Sequence, residues 1–266
     1  MDNMIKIYTF AHKRPDFLGM QLRSFQKNLE NEYEFIVFNN ASFDPIKNHY
    51  NEIQAWCAAN RIQCIDVKKD NDLTERLRKY DGENLFNGDG QYANASIACA
   101  YPLCWAWEQY ISRTDDKICI IDSDMFIVEK TNIDTILDEY DIVYMPQSRG
   151  NSVYYMWNGI SYMNLDKMPE KNSLDWWCGH VEGQPVDVGG HTFYYLQKNK
   201  DNLKFKEFSL HYVGEDSDCD FSPANYEYFT TNETKTLLHY RGGSNWDNKT
   251  PDYHIKKTAW LKKRLG

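Results

Sequence analysis

Lys117-Ile118-Cys119-Ile120-Ile121-Asp122-Ser123-Asp124-Met125-Phe126-Ile127-Val128 is the stretch from which the rest of the chain is best read. Residues 118–121 form a continuous apolar run, short enough for a buried central strand. The run leads directly into two carboxylates spaced i, i+2, and a second apolar run follows them. On an extended chain such residues point to the same side, so Asp122 and Asp124 project together. Carboxylates that close repel unless a cation sits with them. Hard divalent ions such as Mg²⁺ and Mn²⁺ take oxygen ligands and share them with substrate phosphates. The competing reading is a surface turn, where Asp-Ser-Asp is common. Apolar runs on both sides favour the buried, metal-binding one.

Upstream, short apolar runs alternate with helical patterns. Ile5 to Phe10 reads as a strand, and Leu18, Leu22, Phe25 and Leu29 share one helix face. Phe35 to Phe38 is a second buried strand ending in Asn39-Asn40-Ala41-Ser42. Ile46, Tyr50, Ile53 and Trp56 repeat the helical spacing, and Cys64 to Val67 is a weaker third strand. Residues 70–90 are polar, with Gly82, Gly88 and Gly90, and read as irregular or partly helical. Ala95, Cys99, Leu103, Ala106 and Tyr110 mark a helix that Pro102 kinks or restarts. This alternation predicts an α/β fold with a mostly parallel, Rossmann-like sheet flanked by helices. Its ligand belongs beyond the carboxyl ends of the strands. The tips there are Thr9 to Arg14, Asn39 to Asp44, and Asp122 to Asp124.

Downstream, Ile142 to Met145, Val153 to Trp157 and Ile160 to Met163 read as strands. A tight turn at Asn158-Gly159 separates the last two, either bringing backbone near a bound sugar or simply closing a hairpin. A helix is expected to begin near Asp187. Leu237 to Tyr240 is a short strand leading into Arg241-Gly242-Gly243-Ser244. Imidazole suits Mn²⁺, so His239 is a metal-ligand candidate beside the alternative of a structural histidine. Gly242 lets backbone N–H groups approach a phosphate, and Arg241 adds a forked donor. Thr250-Pro251-Asp252 opens a last helix. In Asp175-Trp176-Trp177, the indoles either stack on an acceptor sugar or build core.

The chain of 266 residues suits one α/β domain, 1–266. Its formal net charge of −9 argues against a nucleic-acid partner, so a phosphate ligand needs a cation or a local basic cluster. The 19 Tyr, 13 Phe and 8 Trp exceed what a core alone requires and suit sugar faces. Seven scattered cysteines without a CxxC pair read as reduced thiols. With no signal peptide and no long apolar run, the expected location is cytoplasmic, a host cytoplasm if the source is viral. Lys256, Lys257, Lys262, Lys263 and Arg264 read as cations complementing a helix end.

Taken together, the chain resembles the GT-A superfamily of nucleotide-sugar glycosyltransferases. The resemblance rests on Asp122-Ser123-Asp124, Trp157-Asn158-Gly159, Asp187 within Pro185-Val186-Asp187-Val188-Gly189-Gly190, and the late His239. It implies a nucleotide-sugar-binding half, 1–128, and a smaller mixed acceptor-binding and catalytic half, 129–266. It also implies that Asp124 and His239 ligate Mn²⁺ or Mg²⁺ while Asp122 shares the metal or contacts the donor, a UDP- or GDP-sugar. Thr9, Ala11 and Arg14 would line the nucleoside pocket. Asn39 and Asn40 stand where the family usually offers an acid. Asp187 matches the catalytic base of an inverting transfer to a glycan or glycoconjugate hydroxyl, though it could simply cap a helix. Retention would need another acid, such as Glu182 or Asp175. A non-catalytic nucleotide- or sugar-binding protein is the main competitor. A nucleotidyltransferase would want a glycine-rich loop after the first strand, where this chain has Thr9-Phe10-Ala11-His12-Lys13-Arg14-Pro15.

Overall fold

The computed structural model describes residues 4–41, 49–81, 85–150, 152–212, 227–230, 236–243 and 251–266. Ser42 to Asp44, Ile46, Gly82, Ser244 and Thr250 lie outside them. The first half alternates strand and helix: β1 (Ile5–Ala11), α1 (Pro15–Asn28), β2 (Tyr33–Asn39), α2 (His49–Ala59), β3 (Gln63–Asp66), α3 (Asn71–Asp81), α4 (Ala95–Gln109) and β4 (Lys117–Ile121). Next come β5 (Met125–Ile127), α5 (Ile133–Glu139), β6 (Ile142–Arg149), β7 (Val153–Asn164), β8 (Gly179–Val181), β9 (Gln184–Val186) and α6 (Thr192–Asn199). The chain continues through β10 (Phe205–Glu207), β11 (Ser209–Tyr212), β12 (Glu227–Thr230), β13 (Leu237–His239) and α7 (Pro251–Leu265).

A seven-stranded sheet has the order β10-β6-β7-β4-β1-β2-β3. The pairs β1–β2, β2–β3, β1–β4 and β6–β10 are parallel, while β7 runs antiparallel to both its neighbours. The sheet is therefore mostly parallel and helix-flanked. Its central strands are apolar on both faces because each face carries its own core. Tyr8, Phe38 and Ile120 pack toward α4, and Ile7, Val37 and Ile121 toward α1 and α2. A second, antiparallel sheet has the order β11-β12-β13-β5. It takes β5 from the first half and its other strands from the end of the chain.

Three local features refine or correct the sequence reading. Residues 71–81 form a true helix, anchored by Leu73 and Leu77 and started by Asp70, whose carboxylate accepts the Leu73 N–H at 2.9 Å. Pro102 does not start a second helix, since α4 runs through it. Proline removes one helical N–H and strands the carbonyl four residues back, at a cost of about 3 kcal/mol. That carbonyl belongs to Ala98, and the Asn40 side-chain amide donates to it at 2.8 Å. Finally, Asn158-Gly159 makes no hairpin turn. β7 passes through it as one strand, with residues 157–160 bulging between the pairs Pro146↔Met156 and Tyr144↔Ser161. The Trp157 indole folds across Gly159 so closely that a Cβ there would lie 2.1 Å from the ring. Only glycine permits that fold.

Candidate active site

β4 belongs to the large sheet and β5 to the small one, so the chain must change direction between them. Asp122 to Met125 do this in a β-turn closed by Met125 N–H to Asp122 O at 3.0 Å. The acidic pair thus sits on a turn rather than on an extended strand end. It is not a surface turn. Gln21, fully buried on α1, donates its amide to Asp122 O at 2.8 Å and to Met125 O at 3.0 Å. Asp122 N–H donates to Gly159 O at 2.8 Å, tying the turn to the β7 bulge.

β13 pairs with β5 in the register His239↔Met125, which brings the late histidine beside the turn. His239 Nε2 lies 3.4 Å from Asp124 Oδ1, and both residues are buried. The other oxygen, Asp124 Oδ2, accepts Gly243 N–H at 2.8 Å, while Asp124 O accepts Tyr240 N–H at 2.9 Å. Gly243 must be glycine here, because a Cβ would stand 2.4 Å from the Phe17 ring and 2.7 Å from Asp124 Cβ. Burial opposes ionisation of Asp124, but His239, the Gly243 N–H and Lys257 outweigh it and hold its carboxyl below the usual range. Asp122 goes the other way. Burial, and then the charge of Asp124, push its carboxyl up, against the pull of His239 and the Ser123 N–H.

Two carboxylates in conflict beside an imidazole are what a divalent cation would reconcile. Asp124 Oδ1 and His239 Nε2, 3.4 Å apart, are close enough that both would reach one ion. Among the described residues no group of three His, Cys, Asp or Glu converges closely enough to hold an ion. A carboxylate and an imidazole are a donor pair that would suit an ion completing its shell with phosphate oxygens and water, as Mg²⁺ and Mn²⁺ do.

Asp187 follows β9 and opens a turn, accepting Val188 N–H at 2.8 Å on Oδ1 and Gly190 N–H at 2.9 Å on its carbonyl. The Ser96 hydroxyl on α4 donates to the same Oδ1 at 3.3 Å, and Asp187 N–H donates to Tyr155 Oη at 3.2 Å. The helix expected at Asp187 begins only at Thr192, so Asp187 does not cap it. Burial of the Cys99 sulfur, one helical turn beyond Ser96, and then the carboxylates of Asp122, Asp187 and Asp124 push its thiol up, so all three acids lie within electrostatic range of the first turns of α4. The alternative acids are differently placed. Glu182 is exposed at the β8–β9 hairpin tip, and Asp175 is tied to Trp177 N–H at 2.9 Å and His191 Nδ1 at 3.3 Å. Trp176 and Trp177 are fully buried and build core rather than a sugar platform.

The nucleoside-side candidates sit at the β1 and β2 tips but are enclosed. Thr9 and Ala11 have essentially no exposure. Asn39 donates to Tyr50 O at 3.1 Å and accepts Ala41 N–H at 3.1 Å. Besides Ala98 O, Asn40 engages the Tyr92 hydroxyl, which donates to its Oδ1 at 2.8 Å. Arg14 lies nearer the Asp122–Asp124 turn: its guanidinium packs 3.7 Å over Phe17, pairs with Asp16 and donates to Gly243 O at 3.3 Å. Arg241 and Gly242 are exposed beside it, both with positive φ, 54° and 67°. Asn158 is half-buried in the β7 bulge, with Gly159 buried beside it. Gln21 and Ser96 escaped the sequence reading, and Lys257 read only as a cation at a helix end. Gln21 had a visible signal, a polar residue amid the apolar positions Phe17, Leu18 and Phe25 of α1.

No protein-family model matches the chain, and no curated protein matches it. Solved structures do. The galactosyltransferase LgtC, in complex with donor and acceptor sugar analogs, superposes with a TM-score of 0.50 at 14% identity, over 98% of this chain and 95% of LgtC. Mouse xyloside xylosyltransferase 1 is similar at TM-score 0.40 and 12% identity, over 76% of this chain and 83% of its own. The mannosyltransferase PcManGT from Pyrobaculum calidifontis, in complex with GDP-Man and Mn²⁺, is similar at 0.43 and 10%, over 77% and 54%. The first likeness spans both chains almost end to end. The fold is that of the GT-A glycosyltransferases.

Proposed function

We propose that the chain is a divalent-metal-dependent glycosyltransferase moving a sugar from a nucleotide-sugar donor to a hydroxyl of a glycan or glycoconjugate, with inversion. Fold alone does not assign a reaction. The observation that carries the reading is the meeting of Asp124 and His239, residues from opposite ends of the chain, at 3.4 Å on this fold. Asp124 and His239 would hold Mn²⁺ or Mg²⁺, with Asp122 alongside. When bound, the ion supplies Lewis-acid stabilisation of the departing diphosphate.

The remaining roles fall to the chain's own groups. Arg241 and the backbone at Gly242 offer a cation and N–H donors toward phosphate. The tips of β1 and β2 border the nucleoside of a UDP- or GDP-sugar, with the enclosed Thr9, Ala11, Asn39 and Asn40 supporting them from beneath. The bulge at Asn158 and Gly159 lies beside Asp122 and faces the sugar. Asp187 takes the acceptor hydroxyl's proton as general base, held in place by Ser96 and the Val188 N–H.

A second reading, a non-catalytic sugar-nucleotide binder, draws on the absence of three converging metal ligands among the described residues. Donor hydrolysis with and without Mn²⁺ separates the two. The enzyme turns over one nucleotide sugar only with metal, whereas binding without turnover of any donor identifies the binder. Asp187→Ala is expected to leave donor affinity within about threefold and lower turnover about 10²–10⁴-fold. Loss of donor binding would instead give Asp187 a structural task.

A further inference from the structure

Lys257 reads in sequence as one of a basic group at the C-terminus, yet it is only 1% exposed. Buried ammonium groups are costly unless compensated. On α7, His254, Lys257, Thr258, Leu261 and Leu265 fall at the spacing of a core-facing stripe and are all buried. This stripe lies against Tyr240, immediately after His239. The Lys257 ammonium stands 3.8 Å from the Tyr240 ring centroid. It donates to Tyr240 O and, at 3.2 Å, to Arg241 O. His254 Nδ1 and Thr258 Oγ1 lie 3.2 and 3.4 Å from the Tyr240 hydroxyl.

The loop so gripped is in an unfavourable conformation. Arg241 has φ of 54°, which a non-glycine residue holds only when its surroundings impose it. On one side Asp124 binds the N–H groups of Tyr240 and Gly243. On the other, Lys257 binds the carbonyls of Tyr240 and Arg241.

We propose that Lys257 is a positioning residue: from α7 it clamps the carbonyl side of the 240–243 loop, so that His239 and the Gly243 N–H are presented to Asp124. The clamp would couple docking of the last helix to the geometry of the candidate metal site. It deepens the proposed reading of that site, and its metal arm rests on that reading; its loop arm does not.

The test uses the full chain, as Lys257→Met and Lys257→Gln. Hydrogen exchange in metal-free protein is followed on the peptide spanning 236–243 and on peptides from β1 and β4. Both variants are expected to speed exchange in 236–243 at least tenfold while β1 and β4 keep wild-type protection. Unchanged exchange in 236–243 overturns the clamp. Equal loss of protection in all three peptides overturns it as well, because Lys257 would then be a general stability residue. Mn²⁺ titration is the second arm. Where wild type binds Mn²⁺, affinity in both variants drops at least tenfold, and equal affinity again overturns the clamp. Where wild type binds none, the metal reading fails while the exchange result still decides the clamp.

Discussion

The two ends of the proposed donor cleft behave differently. At the proposed metal end, the residues singled out in sequence come together, Asp122 and Asp124 on one turn and His239 delivered by β13, with Gly243, which the sequence did not single out, closing over Asp124. At the nucleoside end, Thr9, Ala11, Asn39 and Asn40 occupy the expected strand tips, but the structure has already engaged or enclosed them. A motif identifies where a side chain stands. It does not say how much of its hydrogen-bonding capacity remains for a ligand.

Gly243→Ala should give the largest contrast between the ends. Its Cβ would lie 2.7 Å from Asp124 Cβ and 2.4 Å from the Phe17 ring, so the loop must move off the carboxylate. Overpacking of this kind costs roughly 1–3 kcal/mol. Losing a partner that orients a metal ligand typically weakens metal binding about 10–100-fold. Calorimetric Mn²⁺ titration should show that loss with nucleotide affinity in metal-free buffer unchanged.

Asn40→Ala probes the other end and should act mainly on stability. It leaves the carbonyl freed by Pro102 without its donor, a cost of about 1–3 kcal/mol readable by urea unfolding. Nucleotide affinity should change less than threefold. A tenfold loss of affinity at unchanged stability would erase the distinction between the two ends.

Asp116→Asn is a control at the far end of β4, where the smallest effect is expected. Burial opposes ionisation of Asp116, but its hydrogen bond and charge interaction with Lys6, 2.7 Å away, hold its carboxyl below the usual range. A depressed folded-state value adds stability above the ordinary value of 3.8, and that stability is lost as pH falls through the depressed one. Both partners are partly exposed, so the variant should lose no more than about 1 kcal/mol at neutral pH. Its difference from wild type should close in acid, and metal binding should not change.

These contrasts also mark what was legible in the sequence. The sheet was, because buried strands such as Phe35–Phe38 and Ile118–Ile121 are apolar on every residue and helices such as α1 repeat at helical spacing. α3 was read only as part of an irregular or partly helical stretch, because Leu73 and Leu77 are few aliphatic anchors among polar residues. Asn158-Gly159 misled because its glycine serves the Trp157 ring rather than a turn. Ser96 and Lys257 carried no signal: a serine one residue into a helix and a lysine in a basic run look like solvated surface. Their roles arise only when α4 meets Asp187 and α7 meets the 240–243 loop.

The proposed chemistry depends on Asp124 and His239 sharing one divalent ion. Mn²⁺ electron paramagnetic resonance on the intact chain, with wild type beside Asp124→Ala and with and without a nucleoside diphosphate, tests it most directly. One saturable Mn²⁺ site is expected in wild type, tightened by the diphosphate and weakened more than about 100-fold in Asp124→Ala. Equal Mn²⁺ binding by both proteins, or a diphosphate that binds equally well without metal, would contradict it.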